Sequence, residues 1–332
     1  MINMHRIELW KGWNVIREIG NGGYGRVYLI EKNTQGLTMR AALKVISSDE
    51  HNELTMQKLV DEYKLSCKLK SAHIVSCDDF AVQVYQDGGQ EIYIKMELLT
   101  PLMHVYREPM DEQQVIRLGM HICQALMVCN QHGIVHGDIK PQNIYVSQSG
   151  EYKLGDFGTA AMLEHPMREE VVGTRKYIAP ETYHNHKFHR GSDMYSLGMV
   201  LYWLLNQRRI PFLPLYPVAV TEQLEEQAIE RRVRGEKIPF PFYGSEQLKR
   251  IVLKACEYDA YDRYTSPKEM WLDLANLAED DTFWPTKVST IHPFAQPRYA
   301  NIMGNEDTAP LQKISESVKN MERRKLDNDI TA

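Results

Sequence analysis

This 332-residue chain lacks the marks of several protein classes. It does not open with a basic stretch followed by an apolar run, so MINMHRIELWKGW is not expected to be a secretory leader. No apolar run reaches the ~20 residues of a membrane-spanning helix. The most apolar stretch, Met194 to Leu205, stops well short and contains Ser196 and Gly198, which predicts a buried helix. There is no basic excess: 39 Lys and Arg stand against 44 Asp and Glu, a net charge of -5. That balance gives no reason to expect a nucleic-acid surface, which needs a clustered basic excess. The cysteines Cys67, Cys77, Cys123, Cys129 and Cys256 are odd in number and form no Cys-x-x-Cys pair. Reduced, mostly buried thiols are expected rather than a metal or disulfide framework. Internal repeats, low-complexity tracts and lipidation motifs are also lacking. With 43% hydrophobic and 25% charged residues, the chain is expected to be a folded soluble protein of two packed lobes plus a tail.

The pattern along the chain changes character twice. Residues 11–46 read as strands, with Trp13, Val15 and Ile16 leading into a glycine cluster and Val27 to Ile30 following it. Residues 52–70 hold no Pro or Gly and predict a helix. Ile74 to Tyr85 and Ile92 to Leu98 predict two more strands around the turn Gln86 to Gly89. After Leu99 the periodicity is helical. Asp111 opens a helix running to about His132, and Ser192-Asp193 is expected to cap one reaching Leu205. Further helices are expected near 221–234, 245–256 and 266–279. From about Pro285 the sequence is rich in Pro, Asn, Thr and Ala. Leu311, Ile314, Val318 and Met321 then suggest a short amphipathic helix, docked on the body or partly disordered rather than dimerising.

The chemistry concentrates in the eight residues from His136 to Asn143, HGDIKPQN. Asp138 can accept a hydroxyl proton, Lys140 can hold a migrating phosphoryl group, and Asn143 can ligate magnesium. Asp156-Phe157-Gly158 adds a second carboxylate beside a flexible glycine. These are the parts phosphoryl transfer needs. Gly20, Gly22 and Gly25 lie in a glycine cluster between two strands, where backbone N–H groups can approach nucleotide phosphates without side chains in the way. Such a cluster is weak evidence alone, because it also suits a plain hairpin. Lys44 sits inside an apolar strand, where a lysine is costly unless paired. Asp61 and Glu62 are both candidate partners.

Taken together, these residues resemble the protein kinase family, in particular its eukaryotic-like Ser/Thr type. The resemblance covers residues 13–280. The glycine loop, Lys44, Glu62, His136 to Asn143, Asp156-Phe157-Gly158 and Ala179-Pro180-Glu181 occur in that family's order. It implies an α+β fold of two lobes, β-rich over about 10–98 and helical over about 99–282, with a polar tail over 283–332. It implies ATP as substrate, magnesium or manganese as cofactor, and protein Ser/Thr hydroxyls as acceptors. Asp138, Lys140, Lys44 and Glu62 match the catalytic positions, Glu62 being favoured over Asp61 by its spacing to His73-Ile74-Val75. Gly20, Gly22, Gly25, Val27, Ala42, Lys44, Met96, Glu97 and Leu99 match the nucleotide site, with Glu97 to Leu99 as the hinge beside adenine. Asn143 and Asp156 match the metal ligands, Gly173-Thr174 and Tyr177 the peptide wall, Asp193 the brace of the catalytic loop, and Glu181 with Arg263 a structural ion pair. The chain looks similar to bacterial members of the family, which often carry a membrane anchor; with no apolar run long enough for one here, a cytoplasmic protein is expected, as a monomer.

Two positions depart from the family pattern. Gly137 stands where regulated kinases usually carry an arginine that grips a phosphate on the activation segment, and residues 159–172 hold no Ser or Tyr. Activity is therefore expected not to need phosphorylation of that segment. Ser66 replaces an apolar residue of the spine that includes His136 and Phe157, which is expected to loosen the helix carrying Glu62. Gly137 also admits two other readings. One is an aminoglycoside-type small-molecule phosphotransferase, which shares His-Gly-Asp. The other is a pseudokinase scaffold. Lys140 and the intact Asp-Phe-Gly count against the first, and the presence of Lys44, Asp138 and Asp156 against the second.

Overall fold

The computed structural model describes residues 10–22, 25–47, 56, 60, 63–64, 67–86, 89–106, 109–157, 161–162, 175–185, 188 and 190–279. The readings made for Glu62, Ser66, Gly158, Gly173, Thr174 and the 283–332 tail lie outside the described residues.

Five antiparallel strands build the first half: β1 (Trp13–Gly22), β2 (Gly25–Thr34), β3 (Leu37–Ser47), β4 (Cys77–Val84) and β5 (Gln90–Met96), in the order β1-β2-β3-β5-β4. Successive side chains on a strand face opposite ways, so the sheet has two distinct apolar faces. Leu43 and Val45 join Tyr28, Ile30, Ala41 and Tyr93 on one, with Trp10, Trp13 and Val15 packed against it. Ile46, Ile92 and Ile94 occupy the other, against Met56, Val60 and Tyr63. Met56, Val60, Tyr63 and Lys64 are helical, in line with the apolar spacing of residues 52–70.

The expectation of uniformly reduced cysteines is overturned. Cys67, just after this helical stretch, and Cys77, the first residue of β4, are joined in a disulfide. Chain reversal between helix and strand brings their Cα atoms to 4.9 Å, within bridging reach. Cys123, Cys129 and Cys256 are free and buried, as expected of structural thiols, and burial pushes the Cys256 thiol up to about 12.

The second half is helical: α1 (Glu112–Gln131), α2 (Arg190–Leu205), α3 (Glu222–Val233), α4 (Glu246–Ala255) and α5 (Pro267–Ala275). Their starts follow from capping chemistry. Asp111 forms a full capping box with Gln114, and Thr221, Ser245 and Ser266 each accept from a backbone N–H three residues on. α2 begins two residues before the expected Ser192-Asp193 start. Asp193 is not its cap, because the carboxylate turns inward to another task. α2 is buried along nearly its whole length, in line with the expectation for the Met194–Leu205 run.

The two halves meet where residues 73–75 lie on the short strand Tyr152–Leu154. Val75 N–H donates to the Leu154 carbonyl and Leu154 N–H to that of His73, both at 2.9 Å. The His73 and His121 rings stack beside this junction at 4.1 Å, with the Glu151 carboxylate near both. His121 Nδ1 accepts from Tyr152 N–H, so the neutral ring carries its proton on Nε2 and presents no lone pair there to a cation. Burial, then the neighbouring His73 and Arg117, hold His121 down at about 3. The unfolded chain binds a proton on this residue below its ordinary 6.5, whereas the folded chain does not until about pH 3. Stability contributed here is thus complete above pH 6.5 and lost as pH falls toward 3. Between pH 7 and 4.5 the loss is about 2 kcal/mol. In urea titrations His121→Gln, which retains an acceptor, should flatten this part of the pH profile; an unchanged profile would contradict the assignment.

Candidate active site

The glycine cluster closes the β1–β2 hairpin, with Gly20 opposite Val27 and Gly22 opposite Gly25. Gly25 has φ +113°, and a Cβ there would lie 2.3 Å from the Val45 carbonyl oxygen on β3. Both conditions demand glycine. Gly25→Ala is expected to cost at least about 2 kcal/mol, through backbone strain and the forced separation of β2 from β3. Urea unfolding measures the loss, and a variant as stable as the wild type would refute it.

β3 carries Ala42 and Lys44 on one face, two residues apart. Ala42 stands opposite Met96, and Lys44 opposite both Val27 and Ile94. Lys44 is 8% exposed. Its ammonium donates to the Tyr63 hydroxyl at 2.7 Å and to Asp156 Oδ1 at 2.8 Å. Burial is the largest influence on Lys44 and pulls its pKa down, but Tyr63 and Asp156 together outweigh it and hold it above the ordinary value. Burial likewise pushes Asp156 up, and Lys44, His136 and Lys140 reverse that, keeping the carboxylate below its ordinary range and ionised. Tyr63, which the sequence places only among the helically spaced apolar residues of 52–70, thus belongs to the charged centre of the cleft. A tyrosine within a helical apolar pattern reads simply as core.

The catalytic loop is held from two sides. Asp193 on α2 accepts from the backbone N–H groups of His136 at 2.8 Å and Gly137 at 2.9 Å. Gly137 takes φ +80°, which glycine adopts without strain. The His136 ring reaches the Gly155 carbonyl at 3.1 Å and meets Phe157 edge-on at 4.7 Å. Asp138 is 5% exposed. Its Oδ2 pairs with Lys140 at 2.8 Å and accepts from Asn143 Nδ2 at 3.1 Å. Asn143 Nδ2 also donates to the Asp138 carbonyl at 2.8 Å, leaving its Oδ1 without a protein partner among the described residues. Gly155 N–H donates to the Asn143 carbonyl at 2.9 Å, so Asp156 follows directly on a bond that ties the two loops. Asp156 sits at φ +60°, a left-handed conformation aspartate tolerates better than most residues.

The Glu97 side chain turns away from Lys44. It accepts from Ser76 N–H and from Lys153, each at 2.7–2.8 Å, and Glu97 N–H is taken by the Ser76 carbonyl. Below the cleft, Arg263 is fully spent. Its five N–H donors reach Glu181 twice and the carbonyls of Glu257, Gly191 and Tyr258.

A sheet of five strands above a helical body, with a lysine–aspartate pair facing a loop that bears aspartate, lysine and asparagine, defines a two-lobed phosphoryl-transfer fold. Residues 13–273 match the family model for the protein kinase domain, and the chain belongs to that family. Similar curated proteins include the probable serine/threonine-protein kinase PknB of Lactococcus lactis, 28% identical over 90% of this chain and 47% of its own length. PknB of Mycobacterium leprae is 32% identical over 78% of this chain and 42% of its own, and PrkC of Bacillus subtilis 28% over 81% and 41%. The chain therefore spans less than half the length of these relatives. Membership of the family implies use of ATP and a divalent metal. Among the described residues no helix is long and apolar enough to cross a membrane.

Proposed function

We propose that this chain transfers the γ-phosphoryl group of ATP to Ser or Thr hydroxyls of proteins. The observation that supports this most is the setting of Asp138, a buried carboxylate between Lys140 and Asn143 on a loop tied to Asp156. Asp138 orients the incoming hydroxyl and accepts its proton. Lys140 faces the transferred group and Lys44 the α- and β-phosphates, placing positive charge where the reaction accumulates negative charge. Gly20, Gly22 and Gly25 cover the phosphates. Val27, Ala42 and Met96 enclose the adenine, while the Glu97 carbonyl and Leu99 N–H are left to hydrogen-bond its edge. Glu62 is the proposed further partner of Lys44. Asn143 Oδ1 and the Asp156 carboxylate are hard oxygen donors suited to magnesium or manganese, which when bound neutralises phosphate charge.

The proposed catalytic unit is 10–282, with lobes over about 10–98 and 99–282, the 283–332 tail being dispensable for chemistry, and the protein acting as a cytoplasmic monomer. Incubation with ATP and magnesium tests the reading. Phosphate transfer to a casein-like protein supports it, transfer only to amino-sugars indicates a small-molecule phosphotransferase, and bound ATP without turnover indicates a scaffold.

Activity should survive phosphatase treatment, because Gly137 offers no side chain to grip a phosphate and residues 159–172 contain no Ser or Tyr. Loss of transfer after dephosphorylation of the wild type would overturn this expectation.

A further inference from the structure

Arg232 is a buried cation with no acid beside it among the described residues. It lies on α3, 1% exposed, on the face shared with Ala228, Ile229 and Val233. Its Nη1 donates to the Ile178 carbonyl at 2.6 Å and the Tyr195 hydroxyl at 3.0 Å, and its Nη2 to the Arg175 carbonyl at 2.7 Å. Nε is buried and unpartnered. No carboxylate pairs with Arg232 among the described residues. Arg263 provides the contrast, since both guanidinium groups pack over the Tyr195 ring, at 5.5 and 4.7 Å, yet Arg263 has Glu181 to neutralise it. Burying a guanidinium with no described carboxylate beside it is costly, and here the compensation is the Tyr195 hydroxyl and the carbonyls of Arg175 and Ile178, at the start of one turn and just past its end.

That turn, residues 175–177, leads into Ala179-Pro180-Glu181 and the short helix Pro180–Asn185. α3 also holds it from the solvent side, where Arg175 pairs with Glu226 and Lys176 with Glu225. Those pairs are partly exposed, so salt screens them and they contribute little. The Arg232 bonds are buried and are screened much less.

We propose that Arg232 is a positioning residue for the peptide-binding platform: its permanent charge fixes the backbone of residues 175–178 and thereby sets affinity for the protein acceptor. The proposal rests on the kinase reading above and adds a part of the machinery on a different helix. A guanidinium can bridge both carbonyls and Tyr195 with separate N–H groups, whereas an ammonium at the end of a lysine cannot span the same set.

Steady-state kinetics of the 332-residue chain with casein and ATP provide the test. Arg232→Met is expected to raise KM for casein at least about tenfold with KM for ATP unchanged, and Arg232→Lys to give an intermediate value. Unchanged casein KM in both variants, or equal rises in both KM values, overturns the proposal. Hydrogen exchange supplies a readout independent of catalysis and of whether Arg232→Met folds. Amides of 176–178 in the wild type should stay protected in high salt, and should exchange faster in Arg232→Lys while those of α2 do not. Rapid exchange of that turn in wild type at high salt, or no difference in Arg232→Lys, also overturns it. If the wild type phosphorylates no protein, the kinase reading fails, and the exchange comparison still decides whether Arg232 holds the turn.

Discussion

Asp138→Asn is expected to slow phosphoryl transfer by roughly 10²–10⁴-fold while nucleotide affinity stays the same. The substitution is nearly isosteric. The Asp138 main-chain carbonyl keeps its 2.8 Å bond from Asn143, so the loop retains its shape. What disappears is the capacity to take a proton, along with the full negative charge opposite Lys140. Single-turnover transfer to casein and binding of a fluorescent nucleotide separate the two effects. Phosphosite mapping after incubation with ATP and a lysate should show the sites made by the wild type and not by the variant. Wild-type turnover in Asp138→Asn would remove the carboxylate from the chemistry.

The second large effect is structural. Arg263→Leu should destabilise the helical body by about 3 kcal/mol, because breaking a buried pair leaves the Glu181 charge without its countercharge, with the Ser192 hydroxyl still donating to it at 2.9 Å. The Arg263 side chain is fully buried against Glu181, at 2.8 Å, and three backbone carbonyls lose a donor with it. Urea denaturation should show the midpoint fall, and the double variant Arg263→Leu/Glu181→Leu should recover part of the loss, since it removes the stranded carboxylate. A single variant as stable as the wild type would mean that the pair contributes nothing. Glu181 is partly exposed, which places the estimate at the low end for buried pairs.

Both sites were largely legible in the sequence, for physical reasons that differ. Asp138, Lys140 and Asn143 act as one short local unit, so their order alone carries the geometry. Thr221, Ser245 and Ser266 announce their helices because capping is a local hydrogen bond between a side chain and a nearby N–H. What local pattern misses is groups that meet through space. Asp193 reads locally as a cap, and only the family resemblance gives it as the brace of the loop, 56 or 57 residues away in sequence, that its carboxylate holds. Cys67 and Cys77 meet only once a helix has reversed into a strand. Arg232 sits in ERRVRGEK, a charged stretch whose composition alone gives no sign of burial. A signal was nonetheless present, since Arg232 falls three and four residues after Ile229 and Ala228, on the stripe that turns inward.

The left-handed backbone at Asp156 bears on how an inert reference protein should be made. Alanine there would remove the carboxylate and with it the short polar side chain that lets aspartate tolerate a left-handed conformation, which otherwise costs an L-residue about 1–2 kcal/mol. Cells would then contain less of a weaker protein, and loss of the proposed activity could not be told from lost abundance. Asparagine tolerates the same dihedral angles and offers an amide oxygen to Lys44. Asp156→Asn is therefore the cleaner silent control, and any phenotype it shares with a deletion can be ascribed to missing catalysis.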